Sequence, residues 1–259
     1  MTDATPERAV NARCREGVLR LSRPDAEWLS TGWNGGRREA DCAYNVSVPE
    51  GWERTDLEQY VGERLERAGF ADRGPVLLTG VDVADARGAR CGPVTVYATA
   101  GVSNPAALPM DPAGGSLPET VASESDASAT EPPTGTVNLL VYTSRGLADG
   151  ALPNLLTVAA EAKAATLLAE TGFPGTTTDA VVVGHDPAGP PAAFSGSGTA
   201  VGAATRACVR DAVRASLRAH YDGNDDEIPD SVEGATYGVS TDVRSEPIRP
   251  RLETDSGRE

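Results

Sequence analysis

The chain has 259 residues, enough for one sizeable core, and it carries 38 acidic against 23 basic residues, a net charge of −15. That balance argues against nucleic acid and anionic membranes as partners, since both repel an acidic surface. A single lysine, Lys163, stands against 22 arginines, and this acid-rich, lysine-poor composition points to an extreme halophile, in whose salt-loaded cytoplasm screening tames the repulsion between carboxylates.

In chain order, the start "MTDATPERAV" is acidic where a signal peptide is basic and then apolar, and no run approaches the roughly 18 apolar residues of a membrane span. A cytoplasmic protein is therefore expected. Runs rich in β-branched residues and bounded by Gly, Pro or Asp predict strands at 17–24, 43–50, 74–83, 92–102, 135–144 and 179–186. Helices are predicted at 55–70, where Thr55 and Glu58 resemble a capping box, at 152–171 ending at Gly172, and at 199–219. Strands crowd the first half and the long helices fall in the second, which favours a single α+β domain over 1–220, a mixed sheet with helices packed on it, over strict βαβ alternation.

Two polar stretches stand apart: an acidic insertion at 109–134, too poor in apolar residues to order itself, and an acidic linker from 221 that opens a C-terminal arm running to 259. There the alternation of Tyr237, Val239 and Thr241 permits a late strand or an extended arm.

The helix "LLTVAAEAKAATLLAE" places Lys163 about 20° from Leu156 around the helix axis, on the face that should pack. An ammonium there needs a carboxylate or substrate partner, a depressed pKa, or a stem long enough to carry its head to water. The six alanines of this helix leave it little polar surface and place it centrally. Glu161 points about 160° away from Lys163, so only one of the two can face a given site. The last helix carries Arg206, Arg210, Arg214 and Arg218 at four-residue spacing, a ridge that suits a solvated face paired with carboxylates, or else an anionic ligand or subunit contact.

Cys14, Cys42, Cys91 and Cys208 form no C-x-x-C pair, and reduced thiols are expected. With His185 and His220 as the chain's two imidazoles, a histidine-rich metal site is disfavoured and no metal ligands are assigned. "SGSGTAVG" at 195–202 departs from G-x-G-x-x-G at Val201, so dinucleotide binding is unsupported. Asp179 and His185 share one face of a strand but lie about 20 Å apart, too far for a dyad.

Polar clusters recur at strand ends: "STGWNGG" (30–36), Asn45 in "YNVSV", "AGVSN" (100–104), "GTVN" (135–138) and "GTTTDA" (175–180). Each alone reads as turn chemistry. Together they suit a ligand bearing many amides and hydroxyls.

Read in order, Asn34–Gly36, "AGVSNP" ending at Asn104 and Pro105, "GTVNLLV", "EAKAA", "GTTTDAVVV" and "SGSGTAVG" resemble the adenosylcobinamide amidohydrolase family of corrinoid salvage. The resemblance spans roughly residues 17–219. It implies hydrolysis of the amide joining the corrin propionate to aminopropanol, giving adenosylcobyric acid for re-entry into cobalamin synthesis, with cobalt belonging to the substrate and no separate cofactor. Amide hydrolysis needs a nucleophile, oxyanion donors and an acid for the leaving amine. Glu161, Lys163, Thr177 and Asp179 are the catalytic candidates, and Asn34, Gly35, Gly36, Asn45, Asn104, Asn138, Thr176, Thr178, Ser195 and Gly198 the substrate-binding ones. A threonine-nucleophile acyltransferase or self-processing enzyme, and a corrinoid-binding protein without catalysis, are the competing readings.

Overall fold

A computed structural model describes residues 10–49, 56–118, 135–222, 227–235 and 237–250. Five strands open the chain: β1 (Asn11–Arg15), β2 (Val18–Ser22), β3 (Glu27–Ser30), β4 (Gly36–Glu39) and β5 (Cys42–Ser47). Helix α1 (Leu57–Arg67) leads to β6 (Val76–Thr79), β7 (Arg87–Cys91), β8 (Val94–Ala100) and the short β9 (Ala106–Ala107). The second half holds β10 (Val137–Thr143), β11 (Gly146–Leu147), α2 (Ala151–Thr171), β12 (Ala180–His185), β13 (Pro191–Ala192), α3 (Ala200–Tyr221) and β14 (Val239–Ser240).

The α+β class expected from the sequence holds, but the strands divide into two principal sheets. One has the order β1-β2-β5-β6 and the other β4-β3-β12-β10-β8-β7. Leu21, Ala43 and Leu77 of the first meet Trp28, Leu140, Tyr142 and Val182 of the second in a shared apolar layer. Outside it, α1 covers the four-stranded sheet through Tyr60, Val61 and Leu65, while α2 and α3 cover the six-stranded sheet through Leu152, Leu155, Val209 and Val213. The result is four layers, helix, sheet, sheet and helices. It explains why every residue of β10 is buried: Leu139 and Val141 face the helices and Leu140 and Tyr142 face the other sheet. Each such side chain contributes about 1.5–3 kcal/mol by leaving water.

Two local readings change. Asp56 caps α1, its side chain accepting from Gln59 N at 3.1 Å; Thr55, the cap expected from the sequence, lies outside the described residues. Helix α2 belongs to an outer layer instead of the centre, with Leu168 55% exposed, because alanine tolerates either environment. Its C-terminus closes at Gly172 in the left-handed conformation (φ 80°), and a short turn then returns the chain to β12. That turn carries "GTTTDA", so α2 and the start of β12 lie side by side. Residues 119–134 of the insertion lie outside the described residues, whereas the expected late strand is present as β14.

Candidate active site

Because α2 runs back along β12, Lys163 on the helix reaches Asp179 at the strand's entrance, and Lys163 Nζ donates to Asp179 Oδ2. Both side chains are about nine-tenths buried. The same carboxylate accepts three more hydrogen bonds: from Thr176 N to Oδ2 at 3.1 Å, from Thr176 Oγ1 to Oδ1 at 2.5 Å and from Val137 N to Oδ1 at 2.9 Å. Four donors occupy its oxygens, so Asp179 anchors the loop to α2 and β10 and is not a free base. Burial of the charge is compensated by the pair and by neutral donors.

Beside this anchor, the loop after β8 delivers Asn104. Its Nδ2 donates to Thr177 Oγ1 at 2.6 Å and to Thr178 Oγ1 at 3.4 Å. Thr178 donates to Gly135 O at 3.1 Å and pairs with Thr136 Oγ1 at 3.0 Å, so the Thr178 hydroxyl is fully engaged. Thr177 differs. Both residues are exposed, but the Thr177 oxygen is held by Asn104 while its hydroxyl proton has no acceptor among the described residues. Asn104 itself is fully buried, yet its Oδ1 has no hydrogen-bond partner among them. A Cβ on Gly135 would sit 2.4 Å from that oxygen, so only glycine fits where the two strand-end loops meet.

Asn45 and Asn138 lie behind the cluster and are committed elsewhere. Asn138 Nδ2 donates to Asn45 Oδ1 at 3.0 Å and to Leu78 O at 2.8 Å, and its Oδ1 accepts from Ala180 N at 3.2 Å. Asn45 Nδ2 donates to Thr99 Oγ1 at 2.9 Å. With 2% and 1% exposure, they form a polar tie between the sheets, and the interior, not a ligand, satisfies them.

The other sequence-selected residues fall into three places. Asn34, Gly35 and Gly36 form the exposed β3–β4 turn, with Asn34 at φ 50°. The base of that turn is tied to β12, where Thr31 Oγ1 accepts from Val181 N at 2.9 Å. Glu161 is exposed and pairs with Arg206 at 3.5 Å, on the far side of α2 from Lys163. Ser195 is buried at the opposite end of α2, donating to Ala151 O at 2.7 Å, and Gly198 follows in the same segment. Twelve helical residues, about 18 Å, separate Ala151 from Lys163, so this segment does not join the Asp179 cluster. It starts α3 instead, where Thr199 Oγ1 accepts from Gly202 N at 3.0 Å.

Sequence reasoning passed over Thr136 as an individual residue. Its signal was present, a hydroxyl immediately before the buried strand Val137–Thr143.

Elsewhere, three arginines of the ridge pair with carboxylates, Arg206 with Glu161 at 3.5 Å, Arg214 with Glu170 at 2.9 Å and Arg210 with Asp211 at 2.8 Å. His185 sits at the far end of β12 from Asp179. Leu147 N donates to its Nδ1 at 3.0 Å, which makes Nε2 the protonated nitrogen facing Glu27 at 3.1 Å. All four cysteines are free, with Cys42 and Cys208 buried. No helix among the described residues is long and apolar enough to cross a membrane, and no three His, Cys, Asp or Glu side chains among them converge as a metal site.

Two facing sheets flanked by helices, with a buried ion pair and a cluster of threonine and asparagine side chains gathered at the strand ends, define a four-layered α+β protein. The chain belongs to the adenosylcobinamide amidohydrolase family, which matches residues 2–225. It is 60% identical over 237 residues to the adenosylcobinamide amidohydrolase of Halobacterium salinarum, covering 91% of this chain and 97% of that one. The Methanosarcina mazei adenosylcobinamide amidohydrolase is 32% identical over 164 residues, 62% of this chain and 70% of its own. The first relative comes from a halophile, in agreement with the acidic, lysine-poor composition. The solved PH0078 protein of Pyrococcus horikoshii is a looser likeness, with 14% identity, a TM-score of 0.39, and 83% and 80% of the two chains covered.

Proposed function

We infer that this chain hydrolyses the aminopropanol amide of adenosylcobinamide, releasing adenosylcobyric acid that can re-enter cobalamin synthesis. The observation that carries the reading is the 60% identity to an adenosylcobinamide amidohydrolase over nearly the whole of both chains. The cobalt belongs to the substrate, and the reading asks for no further cofactor.

The site residues supply a division of labour for this reaction. Thr177, exposed and steadied by Asn104 at 2.6 Å, offers its hydroxyl to the scissile amide. Lys163, held by Asp179, keeps positive charge next to the loop where the tetrahedral oxyanion and the leaving amine develop. Asn104 Oδ1, without a partner among the described residues, is an acceptor for an amide N–H of the substrate. Glu161 takes no part in this arrangement, because it faces Arg206 on the outer helix surface.

Purified protein incubated with adenosylcobinamide in concentrated KCl should release aminopropanol and adenosylcobyric acid, identified by mass spectrometry. Tight binding with no release of aminopropanol would leave a corrinoid-binding protein and end the hydrolase reading. The intact mass of the chain during turnover separates the two modes of attack: an acyl adduct on Thr177 marks that hydroxyl as the nucleophile, and an unmodified chain marks water.

A further inference from the structure

We propose that the C-terminal arm, residues 239–244, is a positioning element of the active site; the proposal rests on the functional reading above and extends it to a segment beyond the family match at 2–225.

Asn104 stands at the entrance to β9, and β9 is secured on two sides. Toward the site, Ala106 N donates to Gly175 O at 2.9 Å and Thr177 N donates to Asn104 O at 3.2 Å. These bonds couple the backbone of Asn104 to the threonine loop. On the opposite side lies the arm. Val239 N donates to Pro105 O at 2.9 Å and Thr241 N to Ala107 O at 3.0 Å, in a parallel register that pairs Val239 with Ala106.

The arm then fastens the segment following β9 as well. Asp242 O accepts from both Gly114 N and Gly115 N at 2.9 Å, Gly115 bridges to Val243, and Arg244 donates to Pro112 O at 2.6 Å. A loop that places a buried amide against two threonines is thus built into a miniature sheet, one edge of which comes from the far C-terminus. Neither β9 nor β14 belongs to the two principal sheets, and Val239 and Ser240 are exposed. The arm therefore adds order at the site and leaves the apolar layers untouched. Its loss should act on the alignment of Asn104 and Thr177, and misplacements of about 1 Å are enough to cost 100-fold in rate.

The test compares the full chain with one ending after Gly238, which retains Val232 against the main core. Two readouts are taken in concentrated KCl. By hydrogen exchange, the Ala106 and Thr177 amides should exchange faster in the shortened chain while Val141 in β10 is unchanged. By steady-state kinetics with adenosylcobinamide, kcat should fall roughly 10- to 100-fold, with circular dichroism and Tm close to those of the full chain. A peptide of residues 237–250 added in trans should restore part of the turnover saturably, which a general loss of folding would not permit. Thr241→Pro in the full chain, which deletes one arm donor, should shift both readouts in the same direction. Unchanged exchange at Ala106 and Thr177 together with unchanged kcat in the shortened chain would overturn the proposal. A full-length chain without hydrolysis would instead sink the functional reading, and the exchange comparison would then decide the role of the arm alone.

Discussion

Lys163 and Asp179, sixteen residues apart in sequence, meet as a buried ion pair that ties helix α2 to the entrance of strand β12. The pair closes the turn at 172–178 and so fixes where Thr176, Thr177 and Thr178 stand. Truncating either partner leaves the other charge stranded, a change that costs about 3–5 kcal/mol in buried pairs. Lys163→Met and Asp179→Asn should each lower stability on that scale and abolish turnover. The double variant should recover part of the stability and none of the activity. Urea unfolding at fixed KCl, analysed as a double-mutant cycle, gives the coupling directly. Additive losses would show that the two groups do not act as a pair.

Much of this arrangement was legible before the fold was known, and what was not has physical causes. Except for β3, whose EWLS holds no β-branched residue, the strands and helices that pack on both faces announce themselves by β-branched runs or helical periodicity, and so does the packed face carrying Lys163. Strands β1, β4 and β7 do not, since "NARCR", "GRRE" and "RGARC" are exposed edge strands whose order comes from backbone pairing. Asn45 and Asn138 looked like ligand-facing amides because a polar residue in an apolar strand marks an interior need without naming its partner. Only the second sheet reveals that each satisfies the other. The "SGSGTAVG" segment was misplaced for a related reason: motif order along the chain does not say at which end of a 21-residue helix each motif will dock.

Gly135 sets the spacing between Asn104 and the threonines. In Gly135→Ala the new Cβ would lie 2.4 Å from Asn104 Oδ1 and 2.5 Å from Ser103 N, so the loop must move. The core beneath is unaffected, because Val137 and Leu139 keep their places in β10. Activity should fall roughly 100-fold with only a modest change in Tm. Full activity in this variant would show that Asn104 need not stand where it does.

The hydroxyl assignments separate cleanly by substitution. Thr177→Val removes the exposed hydroxyl and should lose about 100-fold or more in kcat, the scale of a deleted donor to a developing oxyanion, whereas Thr177→Ser should stay near the parent. Glu161→Gln should leave turnover unchanged, since this carboxylate is exposed and bonded to Arg206. A severe loss in Glu161→Gln would place the chemistry on the outer face of α2, against the arrangement described above.

Acid sensitivity should originate at the other end of β12. Burial by itself raises the Glu27 carboxyl, but hydrogen bonds from Arg37 and His185, together with the Arg37 charge, outweigh it and hold the carboxyl below its usual range. The side chain is 15% exposed, with Arg37 at 2.7 Å. A depressed folded-state pKa means that the unfolded chain binds the proton more readily. The stabilisation is therefore present above the ordinary glutamate range, where both states are ionised, and disappears as pH falls through the lower folded value. Glu27→Gln should melt below the parent at pH 7, and the gap should narrow steadily as pH drops below about 4.5. Melting curves of both proteins from pH 7 to pH 3 at constant KCl measure this. A gap that is constant, or that widens in acid, would show that Glu27 stabilises the fold by shape alone and not through its charge.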